Sequence, residues 1–170
     1  MKTYIYLILV LTLSLSTTQS KAQEIFLGTW EHRSGNEIFR VFLFENLTYE
    51  NEIHGHYEKV QINNGTETYI YSSDKNKFVG NNQRPSLTTI MASGNNESIS
   101  GLFEDNTVDE NLYSQLKSGH IDIIIISNSG GRNPVITAKW KVERPSYQGV
   151  TVNEAPGFSV PVDIILTKVN

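Results

Sequence analysis

The first strand-like segment of the chain is FLGTWEHRSGNEIF, residues 26–39. Within it, Trp30 precedes a Ser34-Gly35-Asn36 turn, and an aromatic-rich run follows the turn. Two strand-like runs joined by a short Gly-containing turn are typical of a β-hairpin. Successive side chains of a strand point to opposite sides, so Trp30 and His32 share one face. We therefore expect the first hairpin of a β domain here, with Trp30 as a core plug near one end.

A leader of the secretory type precedes this hairpin. Lys2 is followed by an apolar run over residues 4–15, which is too short to span a bilayer comfortably. Ser20 and Ala22 are the small residues expected at the third and first positions before a cleavage site. We expect a signal peptide over residues 1–22, a single β-barrel-like domain over residues 23–170, and a secreted or periplasmic protein without a transmembrane segment after signal removal.

The composition excludes several classes of partner and site. The chain has no cysteine, which removes disulfides, thiolate metal sites and thiol nucleophiles. Its formal net charge is −4 at pH 7, and the basic residues are scattered. Nucleic-acid binders cluster Lys and Arg, so no nucleic-acid partner is expected. A domain of roughly 150 residues is long enough to bury one core without disulfides.

Short runs of alternating apolar residues recur along the chain, separated by Gly, Asn, Ser and Pro. The clearest run places Trp140 on the apolar face of a half-buried strand. The predicted strands cover residues 28–33, 37–45, 53–62, 67–72, 87–93, 98–104, 120–127, 136–143 and 160–169. Asn63-Asn64-Gly65 gives the best hairpin signal, since Asn and Gly tolerate positive φ. The sequence thus predicts an all-β fold, a single antiparallel meander closed into a barrel, with a two-sheet β-sandwich as the alternative.

Three segments call for separate interpretation. The strand at 120–127 contains five isoleucines and is apolar on both faces in its second half, so it should be central or covered on both sides. Thr107 and Glu110 form a capping-box pattern that predicts a short helix near residues 107–117, with a loop as the alternative. Residues 144–159 contain two Pro and two Gly and predict a long loop with an apolar patch.

The opening at residues 26–30 resembles the Gly-x-Trp motif of lipocalin and fatty-acid-binding-protein-like barrels. In those barrels the Trp closes one end from the first strand. The resemblance covers this opening alone, because the rest of the chain does not match the later lipocalin motifs. It implies a lipocalin-like barrel of the kind that holds a ligand.

Four further stretches extend over most of the mature chain: GTWE at 28–31, GLFED at 101–105, AKWK at 138–141 and PGFSVPVDIILTK at 156–168. Together they resemble a family of uncharacterised small secreted proteins of Bacteroidota bacteria. That resemblance implies a bacterial exported β domain. It implies no catalytic activity, because the family has none established.

Two histidines at alternate positions of a predicted strand form the strongest metal-binding candidate. His54 and His56 point to one face, and two imidazoles at that spacing can hold a metal. Glu52 and Glu58 have the same parity and would offer oxygen ligands. A metal site needs three or four converging ligands, so a pair of ordinary surface histidines is the favoured interpretation.

Aromatic residues mark the candidate ligand-binding positions. Phe39 lies on one face of the second strand, while Phe42 and Phe44 lie on the other, so one side is buried and the other is covered or faces a ligand. Tyr69 and Tyr71 share a strand face by parity, and their hydroxyl groups tolerate a wet interior. These two tyrosines are therefore the better candidates for lining a pocket.

These observations favour an exported, lipocalin-like binding module. It would bind a small apolar or amphipathic ligand through Trp30, Tyr69 and Tyr71, or a cell-surface partner through its rim and loops. A metal-dependent enzyme using His54 and His56 is less favoured, and a structural cell-envelope protein without a ligand is the third hypothesis. No nucleophile elbow, phosphate loop or cofactor signature occurs. The sequence indicates neither the ligand nor the oligomeric state.

Cleavage of the leader is directly testable. Intact-mass spectrometry of the exported protein is expected to give a mature chain that begins at Gln23, because Ala22 is the last small residue before it. A mass that still includes Met1 or Lys2 would instead indicate a retained N-terminal anchor.

Overall fold

The computed structural model describes residues 23–49, 51–74, 88–107, 118–144 and 157–169. Within these residues the chain forms a nine-stranded sheet and no helix. The strands are β1 (Gly28–Ser34), β2 (Glu37–Glu45), β3 (Ile53–Asn63), β4 (Thr66–Ser72), β5 (Ile90–Gly94), β6 (Ser98–Glu104), β7 (Ser118–Asn128), β8 (Ile136–Glu143) and β9 (Asp163–Val169). The described part of the chain contains no helix long and apolar enough to span a membrane.

Eight of the strands form a closed antiparallel barrel. Neighbours pair around the circuit β1–β2–β3–β5–β6–β7–β8–β9, and β9 returns to β1 with Thr29 opposite Val169 and Trp30 opposite Lys168. β4 lies outside the circuit and pairs with the second half of β3, whose first three residues pair with β5. The predicted meander barrel is confirmed, and the sandwich alternative is wrong because a closed circuit leaves no separate second sheet.

The tight turns occur where the sequence permits positive φ. Asn64 and Gly65 have φ of 51° and 80° and join β3 to β4, and Gly35 has φ of 61° between β1 and β2. Such values suit the primed turns, whose twist matches that of the flanking strands. The predicted Asn63-Asn64-Gly65 turn is therefore confirmed.

The observed strand boundaries follow the predicted ones closely, with two exceptions at strand starts. The fifth strand begins at Ile90 and not at residue 87. The last strand begins at Asp163 and not at residue 160. Pro161 has no N–H group to donate to a ladder, which explains the later start. The predicted helix beyond Thr107 and the predicted loop before Gly157, apart from Arg144, lie outside the described residues.

On each barrel strand, every second side chain points inward, and these side chains form the barrel interior. Its most deeply buried side chains, each at most 4% exposed, are Trp30, Phe39, Val41, Leu43, Ile53, Tyr57, Ile90, Ala92, Ile99, Phe103, Ile121, Ile123, Ala138, Trp140, Val142 and Leu166. Burial of each large apolar side chain contributes roughly 1.5–3 kcal/mol. This cluster is the core that a cysteine-free domain of this size requires.

The segment before β1 closes one end of the barrel, which we call the Phe26 end. The Phe26 side chain is fully buried, and its carbonyl oxygen accepts a 2.7 Å hydrogen bond from Trp30 Nε1. Lys168 Nζ donates to the Ile25 carbonyl at 2.8 Å and lies 5.7 Å from the Trp30 ring centroid. Burial lowers the pKa of Lys168. These contacts attach the N-terminal turn to both strands of the closing seam.

A buried carboxylate closes the opposite end, which we call the Asp105 end. Asp105 is fully buried and accepts hydrogen bonds from Tyr57 Oη at 2.9 Å, from Ser159 N at 2.6 Å and from Thr107 N at 3.1 Å. Burial, and then the charge of Asp105, raise the pKa of Tyr57, so its hydroxyl stays a donor. The network connects β3, the residues after β6 and the segment before β9.

An ion cluster lies on the outer faces of β1, β2 and β3. Arg40 Nε lies 2.6 Å from Glu31 Oε1, and Arg40 Nη1 lies 3.3 Å from Glu58 Oε1 and 2.7 Å from Glu67 Oε2. Glu31 and Glu58 are only 8% and 2% exposed. Arg40 is therefore the cation that compensates two buried carboxylates. Hydrogen bonds to Glu67 and then Glu31 raise its pKa.

Removal of Asp105 should destabilise the barrel. Asp105→Ala leaves the buried Tyr57 hydroxyl and the backbone N–H groups of Thr107 and Ser159 without their carboxylate acceptor, and we expect a loss of about 3 kcal/mol in the free energy of unfolding, measured by urea denaturation. Asp163→Ala is the matched control, because Asp163 is 57% exposed and its pairing with Lys139 should contribute less than about 1 kcal/mol. Equal losses in the two variants would contradict the network.

Removal of Arg40 should destabilise the protein in a pH-dependent way. Arg40→Met removes the cation that pairs with both buried carboxylates and leaves Glu31 its pair with Arg33, and we expect a loss of about 3 kcal/mol at neutral pH in urea denaturation. Lys139→Met is the control, because Lys139 is 44% exposed and pairs with the exposed Asp163, outside the cluster.

The sign of the pH dependence follows from Glu31. Burial favours a higher pKa, but hydrogen bonds and charge from Arg40 and Arg33 outweigh it and lower the pKa below 4.5. The stabilisation is therefore fully present above pH 4.5 and is lost as the pH falls through the lowered pKa of the folded state. The gap between Arg40→Met and the wild type should narrow on acidification; a constant gap would contradict this cluster.

Candidate functional site on the outer wall

The described interior of the barrel is occupied by packed aromatic rings. The Phe39 and Trp140 ring centroids are 5.5 Å apart, those of Phe103 and Trp140 are 5.9 Å apart, and those of Tyr57 and Phe103 are 5.3 Å apart. Trp30 is fully buried beside them. Trp30 is therefore a core residue, as expected, and its role in ligand binding stays a prediction.

Tyr69 and Tyr71 lie on opposite faces of β4, so the prediction from strand alternation that they share a face is wrong. Tyr69 lies opposite Val60 and Tyr71 lies opposite Lys59, so Ile70 is an extra residue that forms a β-bulge. Tyr69 is 46% exposed on the outer surface. Tyr71 turns toward the core, and its hydroxyl donates to the Ser159 carbonyl at 3.2 Å. Of the two tyrosines, only Tyr71 thus approaches the Asp105 end of the barrel.

The two histidines share the outer face of β3, as predicted. His54 lies opposite Phe44 and His56 opposite Phe42 on β2. The Phe44 ring centroid is 6.4 Å from His54 and 5.7 Å from His56. Together with Phe42, which lies opposite His56, these rings form one aromatic surface. Gly55 between the histidines faces inward, where an added Cβ would lie 2.7 Å from the Phe42 carbonyl oxygen. Close packing of β2 on β3 therefore requires glycine at this position.

The partners of the histidines bear on the metal hypothesis. His54 Nε2 lies 3.2 Å from Glu52 Oε2 and 2.9 Å from Asn46 Nδ2. Glu58, the other carboxylate of the same parity, is buried in the ion cluster with Arg40. No group of three or more His, Cys, Asp or Glu side chains placed to hold a metal occurs among the described residues. Metal binding by His54 and His56 stays a prediction, and the described residues place no third ligand beside them.

A groove lies beside this aromatic surface, where the end of β4 pairs with β3. It has a volume of about 240 Å³ and is lined by Phe42, His56, Tyr57, Ser72 and Asp74. Phe42 and His56 are partly exposed, whereas Tyr57 and Ser72 are buried. The groove therefore has an aromatic side and, at Ser72 and Asp74, a polar side.

Backbone pairing fixes the position of these lining residues. Ser73 N donates to the Tyr57 carbonyl at 2.8 Å, and Tyr57 N donates to Ser73 Oγ at 2.8 Å. Asp74 N donates to Ser72 Oγ at 3.2 Å. The end of β4 is thus held against β3, which places Asp74 across the groove from Phe42.

Sequence reasoning found part of this site. The alternation in β2 and β3 identified the outer face that contains Phe42 and His56. Ser72 and Asp74 were missed, because their position depends on the Ile70 bulge and on the pairing of Ser73 with Tyr57. No local pattern in the sequence indicates that bulge.

The composition of β7 predicts a strand that is central or covered on both sides. β7 is central, between β6 and β8, as expected for a strand with apolar residues on both faces. Its outer face is nevertheless uncovered, because Ile124 is 42% and Ile126 is 51% exposed. Pairing of both strand edges, and not a covering layer, therefore protects this strand.

No curated protein and no solved structure shows a significant match to the chain. A family model does match, and it covers residues 1–169. This agrees with the resemblance to an uncharacterised family, while bacterial origin and secretion stay predictions. The chain belongs to the family of unknown function DUF6705.

Proposed function

We propose that this protein is an exported binding module whose ligand site is the groove on its outer wall. The observation that carries this proposal is the groove of about 240 Å³ between Phe42, His56 and Asp74. Small-ligand sites have volumes of a few hundred Å³ and combine mostly apolar walls with a few polar groups. Export is inferred from the leader at residues 1–22.

The lining favours a small amphipathic ligand. An aromatic or alicyclic body would lie against the Phe42 ring and the His56 imidazole. A hydrogen-bonding group on the ligand would face Ser72 and Asp74 on the opposite side. The neighbouring Phe44 ring extends the aromatic surface beyond the groove, 5.7 Å from His56.

The packing of the barrel favours the groove over the interior. In the described part of the barrel, the inward side chains are almost fully buried and their rings are in contact. A ligand in that region would have to displace packed side chains, which typically costs 1–3 kcal/mol or more. Among the described residues, a ligand in the groove would displace no packed side chain.

Titration with N-phenyl-1-naphthylamine, a small amphipathic aromatic amine, tests this proposal. We expect saturable binding by fluorescence, with proton NMR shifts at the Phe42 and His56 rings. Phe42→Ser should weaken binding about tenfold, because it removes the apolar wall of the groove.

Phe44→Ser is the matched control, since Phe44 is 41% exposed on the same face but does not line the groove. Its affinity for the probe should remain within about twofold of the wild type, a difference below 0.5 kcal/mol. Probe shifts at Trp30 and Trp140 that are insensitive to Phe42→Ser would place the ligand inside the barrel. That result, or no saturable binding, would refute the groove as the site.

A further inference from the structure

The outer faces of β5, β6 and β7 form a surface that we call the β5–β7 wall. Its exposed apolar side chains are Met91, Leu102, Ile124 and Ile126, which are 36%, 61%, 42% and 51% exposed. Met91 lies opposite Leu102 across the β5–β6 pair. Exposed apolar side chains grouped on one face of a folded domain commonly mark an interaction site.

The charge on this wall has one sign. The sequences of β5, β6 and β7 contain no Lys or Arg. Glu104 is exposed two positions after Leu102, and Asp122 lies between His120 and Ile124 on the outer face of β7, 31% exposed. Apolar side chains therefore alternate with carboxylates along the wall.

The basic groups around the wall are already engaged. His120 Nε2 lies 3.4 Å from Asp122 Oδ1 and 3.1 Å from Ser100 Oγ. On the adjacent β8, Lys141 pairs with Glu143, and Lys139 Nζ lies 3.2 Å from Asp163 Oδ1. Both lysines thus have a carboxylate partner of their own, and Glu104 and Asp122 add two further carboxylates on the wall.

We propose that the β5–β7 wall is an interaction surface for a cationic amphipathic segment of a partner protein. Apolar side chains of the partner would pack on Leu102 and Ile124, and its Lys or Arg side chains would pair with Glu104 and Asp122. Opposite charges across an interface speed association and select against wrong partners.

Charge complementarity separates this partner from two other occupants of an apolar surface. A second copy of the chain would place carboxylates opposite carboxylates, which costs free energy. An anionic membrane surface would be repelled in the same way. The wall shares no residue with the groove, so the two proposals stand or fall separately.

The probe is a fluorescein-labelled synthetic peptide of alternating leucine and lysine, titrated with the mature protein and followed by anisotropy. We expect saturable binding that weakens as salt rises. Leu102→Ser and Ile124→Ser should each weaken binding about fivefold to tenfold, because each removes an apolar contact. Asp122→Asn should weaken binding and reduce its dependence on salt.

Ile70→Ser is the matched control, because Ile70 is 48% exposed on β4, outside the wall. It should leave the affinity unchanged, and a peptide of alternating leucine and glutamate should not bind. Equal affinities for Leu102→Ser and Ile70→Ser would overturn the proposal. Self-association abolished by Leu102→Ser, or equal binding to anionic phosphatidylglycerol vesicles, would assign the wall to another occupant and overturn it as well.

Discussion

Pairing between the first and the last strand is the constraint on which the rest of the structure depends. Thr29 opposite Val169 and Trp30 opposite Lys168 convert a meander into a closed circuit. Closure gives each of the eight barrel strands two paired edges and removes the exposed edges of an open sheet. The isoleucine-rich β7 can therefore expose Ile124 and Ile126 without offering an unpaired edge.

Closure also creates two barrel ends, and different interactions hold the chain in place at each of them. At the Phe26 end, an apolar side chain and a lysine on the Trp30 ring hold the N-terminal turn. At the Asp105 end, a buried carboxylate accepts hydrogen bonds from neutral donors on three separated segments. With rings packed between these ends, the surfaces that we propose for recognition lie outside: the groove at Phe42 and the β5–β7 wall.

Most of the fold can be predicted from the sequence, because most strands alternate with period two and each tight turn contains Gly or Asn. Short connections favour a meander, and the place of Trp30 in the first strand predicts its burial, whereas closure depends on the long-range pairing of β1 with β9. The candidate site is less accessible to such reasoning. One inserted residue, Ile70, reverses the face of Tyr71 relative to Tyr69. Likewise, alternation places His56 on the outer face, but only tertiary pairing brings Asp74 to it.

A double-cysteine variant tests barrel closure most directly, since the chain has no cysteine of its own. Thr29→Cys combined with Val169→Cys places thiols on directly opposed residues of β1 and β9. We expect a disulfide in the folded protein on mild oxidation, detected by mass spectrometry, whereas Thr29→Cys with Ile165→Cys should stay reduced. Free thiols in a folded Thr29→Cys and Val169→Cys protein would contradict the closed barrel.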